Sequence, residues 1–130
     1  MLKFTAIFAA AVLALPAVSA AQVRRAVAPI PGLVCMSLNM TQQQAMDPSF
    51  IVPFRSEPSA NASAVGRASA IVIVRDPKVE TNGFLAVIQF NGHPGWIAAS
   101  DVVPWKNPGG NGQRCIPSRM SDGSVGFAFR

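Results

Sequence analysis

The chain has 130 residues, a formal net charge of +5 at pH 7 and two cysteines. This length suits one domain, and the scattered basic residues form no run of the kind that binds nucleic acid. One histidine and no Cys-x-x-Cys pair are too few ligands for a metal site, so no metal is expected.

Residues 1–20 are predicted to be a signal peptide. Lys3 supplies a positive start, Phe4 to Leu15 is an apolar run of about twelve residues, and Ala20 follows small residues suited to cleavage. An uncleaved membrane anchor is the alternative, although the run is short for a bilayer. Cleavage removes Lys3 and lowers the net charge from +5 to +4, leaving no membrane span and a periplasmic or secreted protein.

The two cysteines are predicted to form one disulfide. An exported chain with only Cys35 and Cys115 favours a single bridge, which closes a loop of about 80 residues. Two free thiols or a metal pair are the alternatives. Residues 21–32 contain two prolines and are interpreted as a linker, and the strand expected at Leu33 to Leu38 carries Cys35.

The middle of the chain alternates short apolar runs with polar loops. Asn39 to Ser49 is predicted to be a loop or a short helical turn, and Ile51 to Phe54 begins a strand that ends in a polar loop, Arg55 to Val65. Ala70 to Val74 is continuous and β-branched, which indicates a strand buried on both faces or covered by a tail. A second charged loop follows it.

The stretch from Asn82 to Val102 carries the strongest fold signal. Phe84 to Phe90 predicts a strand, Asn91-Gly92 a hairpin turn, and Gly95-Trp96-Ile97 the returning strand. Ala98 to Asp101 is long enough for one helical turn, and a further strand starts at Val102 before Pro104 limits its pairing. The predicted order is strand, turn, strand, one-turn helix and strand. This order is that of the closing half of a small barrel.

These residues resemble the bacterial SH3-like (SH3b) family. The matching positions are Arg55, Ser56, Pro58, Ser59, Val65, Gly66, Gly95-Trp96-Ile97 and Ser100; Pro53, Glu57 and Phe84 depart from the family's usual Asn, Gly and Trp. The resemblance implies an all-β, SH3-like barrel of about five strands over residues 33–105. Residues 106–130 then form a C-terminal tail, which the disulfide would tie to the barrel.

No catalytic constellation is evident. His93 lies in the predicted Asn91-Gly92 turn, where a solvated side chain is the simplest interpretation, and an oxidised Cys35 cannot act as a nucleophile. We therefore expect neither enzyme activity nor a cofactor.

The resemblance also suggests where a ligand binds, because two loops flank one face of SH3b-like barrels. In this sequence they correspond to Arg55 to Val65 and Arg75 to Gly83. The expected contacts are four charged residues, Arg55, Glu57, Arg75 and Lys78, and two aromatic ones, Phe84 and Trp96. The predicted function is a non-catalytic binding module of the cell envelope that contacts peptidoglycan or a protein partner. The alternatives are a structural or inhibitor-like protein that acts on an envelope enzyme, and a binding face covered by Phe127 and Phe129 of the tail.

Overall fold

The computed structural model describes residues 2–3, 5–7, 9–14, 23–107 and 109–130. Within these ranges the chain forms eleven strands, one short α-helix and one 3-10 turn at Ala99–Asp101. The elements are β1 (Ala26–Pro29), β2 (Leu33–Leu38), α1 (Gln42–Ala45), β3 (Pro53–Arg55), β4 (Ala64–Arg67), β5 (Ile71–Arg75), β6 (Glu80–Thr81), β7 (Phe84–Ile88), β8 (Pro94–Ala98), β9 (Val102–Pro104), β10 (Cys115–Met120) and β11 (Val125–Phe129). The predicted all-β class is confirmed.

The larger of two antiparallel sheets, the large sheet, has the strand order β4-β3-β8-β7-β5-β2-β9, with β6 added beside β7. The described strands do not close into a barrel, and the edges of this sheet are β4 and β9. Pro104 lies at the end of edge strand β9, where a missing N–H breaks no inner ladder. The strands expected at Leu33, Ile51, Ala70, Phe84, Gly95 and Val102 are all present, with end points shifted by a few residues.

The core lies against one face of the large sheet. Strict alternation in β7 buries Leu85 and Val87 on this face, and β5 adds Val72 and Val74. Phe54 from β3 and Val102 from edge strand β9 belong to the same apolar cluster. Because residues from both ends of the strand order share one core, the large sheet bends around it.

A smaller sheet, the tail sheet, has the order β1-β10-β11. The predicted linker at 21–32 is therefore corrected in part, since β1 lies within it and pairs Pro29 with Ser118 of β10. Prolines suggested a linker, but Pro29 is the last residue of an edge strand, a position where proline is tolerated. The partner strand lies about ninety residues further along the chain, so local sequence does not reveal the pairing.

A disulfide joins the two sheets. Cys35 of β2 is bonded to Cys115 of β10 across a sequence separation of 80 residues, as predicted. Cys35 lies opposite Ile73 of β5 on the face turned away from the main core, and Ile73 is only 1% exposed. The continuous apolar run of β5 thus has a physical reason, because its second face is also buried.

Two Asn-Gly pairs make different turns. Asn82 and Gly83 have φ values of 52° and 78° and form the two-residue hairpin between β6 and β7, pairing Thr81 with Phe84. Around Asn91-Gly92, by contrast, only Gly92 has positive φ, and the Gln89 N–H donates to the His93 carbonyl across a wider turn. The predicted turn is present, but the tight one lies at Asn82-Gly83.

Candidate functional site

Three strands present a second, outward face of the large sheet, opposite the core. Arg55 of β3 is paired with Trp96 of β8, and Phe84 of β7 is paired with Ala98 of β8. Directly opposed residues of antiparallel strands share a face, and residues two apart in one strand do so as well. Arg55, Phe84, Trp96 and Ala98 therefore all lie on the outward face, and each is half-buried.

Part of this face is concave. A pocket of about 180 Å³, here called the Arg55 pocket, is lined by Pro53, Arg55, Ala60, Phe84, Ala98 and Asp101. Nη1 of Arg55 donates a hydrogen bond of 3.1 Å to the Ala62 carbonyl, which holds the guanidinium against the loop after β3. The other guanidinium N–H groups keep their capacity for a ligand.

The loop after β3 contributes Ala60 to the lining of the Arg55 pocket, whereas no residue of the loop after β5 lines it. The loop after β3 is closed by a 2.9 Å hydrogen bond from the Ser56 N–H to the Ser63 carbonyl. The side-chain amide of Asn82, in the β6–β7 turn, donates to the Pro58 carbonyl at 3.4 Å and so links the two loops. Glu57 lies exposed within the first loop.

The structure does not bring all six expected contact residues together. Arg55 and Phe84 line the Arg55 pocket and Trp96 is the cross-strand neighbour of Arg55. Arg75 lies at the end of β5 opposite Leu33, and Lys78 lines a different cleft beside the disulfide. Arg75 and Lys78 therefore lie apart from each other, and neither lines the Arg55 pocket. The part of this connection that comes near the pocket is the β6–β7 turn, which directly precedes Phe84.

Asp101 is a pocket residue that sequence reasoning did not assign to a site. It ends the 3-10 turn after β8 and lines the pocket together with Pro53 and Arg55 of β3. The sequence signal that could have identified Asp101 is the predicted one-turn helix directly after the Gly-Trp-Ile strand. The last residue of such a turn stays close to this strand, β8, and to the strands paired with it. Arg55 and Asp101 give the pocket both charge signs, and no ion pair joins them within the described ranges.

The tail packs on other parts of the molecule. Phe127 of β11 contacts Phe90, with ring centroids 6.1 Å apart, and Phe129 stacks on Trp105 at 5.8 Å and an interplanar angle of 19°. The N–H of Val125 also donates to the Phe90 carbonyl. Trp105 is therefore a packing partner of the tail, whereas the lining of the Arg55 pocket includes no tail residue.

Two exposed carboxylates have lowered pKa values, and both lie away from the Arg55 pocket. A hydrogen bond from the Ser124 hydroxyl is the main cause that lowers the pKa of Asp122, with smaller contributions from the Ser124 N–H and Arg24. Asp122 also forms an ion pair with Arg24 at 3.3 Å. The pKa of Asp47 is lowered in the same way, chiefly by the Ser49 hydroxyl.

The described residues offer no cluster of three or more His, Cys, Asp or Glu side chains that would hold a metal ion. His93 is exposed, and its main-chain N–H donates to the Asn91 side chain within the turn. Among the described helices, none has both the length and the apolar character needed to cross a bilayer. Residues 15–22, which contain the predicted cleavage site, lie outside the described ranges.

Comparison with known proteins identifies no relative: no family model, no curated protein and no solved structure matches the chain.

Proposed function

We propose that this protein is a non-catalytic, SH3b-like binding module of the cell envelope, which contacts peptidoglycan or an envelope protein. The observation that carries the proposal is the Arg55 pocket, a concave part of the outward face that is lined by Ala60 of the loop after β3 and by no residue of the tail. The charged and aromatic side chains expected from the sequence meet there in part, through Arg55 and Phe84.

The order of the strands supports an SH3-like fold. Five of them lie side by side as β9-β2-β5-β7-β8, and the 3-10 turn connects β8 to β9. The sequence predicted this arrangement of hairpin, one-turn helix and closing strand for residues 84–103. The β3–β4 hairpin, which carries the SH3b-matching positions from Arg55 to Gly66, lies between β2 and β5 in sequence and extends the sheet beyond β8.

The chemistry of the Arg55 pocket suits the short peptides of peptidoglycan. An arginine guanidinium matches the planar geometry of a carboxylate, and Asp101 on the same pocket wall favours an ammonium group. Peptidoglycan stem peptides carry carboxylates, and their cross-linking residues carry amines. A small pocket with both charge signs therefore fits a zwitterionic amino-acid unit better than a purely anionic polymer.

The disulfide supports export, because such bonds persist in oxidising compartments such as the periplasm and the extracellular space. Both cysteines are bonded to each other and His93 is exposed in a turn, so the described residues contain no thiol beside an imidazole. Binding without catalysis is the function that this arrangement supports best.

The test compares capture of the mature protein by purified peptidoglycan with capture of partners from an envelope extract. We expect retention on peptidoglycan, and Arg55→Ala should weaken it about tenfold or more because a charge-assisted hydrogen bond is lost. Arg119→Ala is the matched control, since Arg119 is exposed on β10 and carries the same charge.

Equal retention of both variants would refute the role of the Arg55 pocket. Equal weakening of both would indicate charge attraction without a site, which the salt dependence would confirm. Absence of retention on peptidoglycan, together with capture of an envelope enzyme, would favour the structural or inhibitor-like alternative.

A further inference from the structure

A second cleft lies between the tail sheet and the large sheet, beside the disulfide. Its volume is about 330 Å³, at the lower end of the range for small-molecule sites. Apolar side chains and the disulfide form most of its wall, and two cations complete it. The lining residues are Val34, Cys35, Met36, Lys78, Pro104, Trp105, Arg114 and Cys115. We call it the Trp105 cleft.

The walls of the Trp105 cleft are fixed by contacts that do not involve a ligand. The Cys35–Cys115 bond ties β2 to β10, and Trp105 is stacked on Phe129 with ring centroids 5.8 Å apart. The main chains of Arg114 and Arg130 are joined by two hydrogen bonds of 2.7 and 3.0 Å, which fix the backbone from which the Arg114 side chain extends. A preformed cavity loses less free energy on binding than one that must be ordered first.

The charges of the Trp105 cleft have one sign. Lys78 and Arg114 line it, and no carboxylate does. In the part of the chain that the structure describes, the only ion pair joins Arg24 to Asp122, so neither cleft cation is neutralised by a salt bridge. This distinguishes the cleft from the Arg55 pocket, where Asp101 opposes the arginine.

We infer that the Trp105 cleft is a second binding site, for a small carboxylate with an apolar body. The guanidinium of Arg114 offers the paired donors that suit a carboxylate, with Lys78 as a second charge. Trp105, Met36 and Val34 supply the apolar surface for the remainder of the ligand. A bare phosphate would use the cations alone and gain nothing from these apolar walls. This inference is independent of the function proposed above.

Trp105 itself reports on binding. The chain has two tryptophans, so Trp96→Phe leaves Trp105 as the single indole fluorophore. We titrate this variant with N-acetylphenylalanine, with the corresponding carboxamide, and with inorganic phosphate. We expect a saturable change of Trp105 emission with the carboxylate, and binding of the carboxamide and of phosphate at least tenfold weaker, because each lacks one half of the recognised ligand.

Two further substitutions locate the site. In the Trp96→Phe background, Arg114→Ala should raise the dissociation constant about tenfold, and Lys78→Ala should raise it by a smaller factor. Both side chains are exposed, so folding should be retained, which thermal unfolding checks. Arg119→Ala, an exposed arginine outside the cleft, should leave binding unchanged.

Three results would overturn the inference: no saturable change with the carboxylate, equal affinity for the carboxylate and the carboxamide, or unchanged affinity in Arg114→Ala. Loss of binding in Arg55→Ala with retention in Arg114→Ala would assign the ligand to the Arg55 pocket instead. Because the peptidoglycan assay depends on Arg55 and this titration on Arg114, failure of one proposal is distinguishable from failure of the other.

Discussion

Gly83 shows how a single residue determines a hairpin. It has a φ of 78°, follows Asn82 at 52°, and a Cβ built on it would meet no atom within 4 Å. Gly83→Ala should therefore lower the free energy of unfolding by about 1–2 kcal/mol through backbone conformation alone. Gly109→Ala is the control, because its added Cβ makes only ordinary contacts, the nearest at 3.5 Å, outside the left-handed region. Equal effects in chemical denaturation would contradict this explanation.

Asp122 gives a prediction about pH. Because the Ser124 hydroxyl is the main cause of its lowered pKa, Ser124→Ala should raise that pKa towards the ordinary value. A carboxyl group whose pKa is lower in the native than in the unfolded state stabilises the fold at pH values above the unfolded-state pKa. This stabilisation is lost as the pH falls through the native pKa. The two proteins should therefore differ in stability above about pH 4 and converge in stronger acid.

An NMR titration of the Asp122 carboxyl carbon measures this shift directly. Ser49→Ala is the matched control, since it removes the same hydroxyl-to-carboxylate hydrogen bond from Asp47 and should leave the Asp122 pKa unchanged. An unchanged Asp122 pKa in Ser124→Ala would show that the hydroxyl is not the main cause and would leave the Ser124 N–H and the Arg24 ion pair to account for the lowered pKa.

At the scale of elements, the disulfide is a covalent cross-link between the tail sheet and the large sheet, in addition to the main chain that connects them. It closes a separation of 80 residues, so the chain-entropy model predicts that Cys35→Ser lowers the free energy of unfolding by about 2–5 kcal/mol. Hydrogen exchange should show protection lost first in β10 and β11, because the remaining aromatic contacts lie at the rim of the tail sheet. A uniform loss of protection across both sheets would contradict the separate stability of the tail sheet.

The elements that sequence predicted well are those whose signals are local. The apolar, β-forming runs of β5 and β7 and the short helical turn allowed for Asn39 to Ser49, where α1 lies, each belong to one short segment. β1 was missed because its partner β10 is distant, and the dipeptide Asn-Gly does not reveal which of two turns is tight.

The Arg55 pocket was partly predictable from strand pairing. The Trp105 cleft was not, because it exists only after the disulfide and the Trp105–Phe129 stack bring distant segments together.

For the molecule as a whole, the position of β1 constrains where the signal peptide predicted from the sequence can be removed. β1 begins at Ala26, and just before it the Arg25 carbonyl accepts a hydrogen bond from the Ser121 N–H while Arg24 pairs with Asp122. Any processed form of the protein must keep these residues if the tail sheet is to have three strands. Cleavage after Ala20 or Ala21 satisfies this requirement and leaves a short segment ahead of Arg24.

We therefore expect the mature protein to begin at Ala21 or Gln22, as measured by intact mass of the exported form. The mass should also be lower by the two hydrogens of the oxidised cysteines, which return on reduction. Val18→Arg, which puts a large charged residue two positions before Ala20, should block cleavage after Ala20, whereas Val23→Arg, beyond both cleavage positions, should permit it. A mass that retains residues 1–20 would contradict the signal peptide. An N-terminus beyond Ala26 would remove β1 and contradict the three-stranded tail sheet.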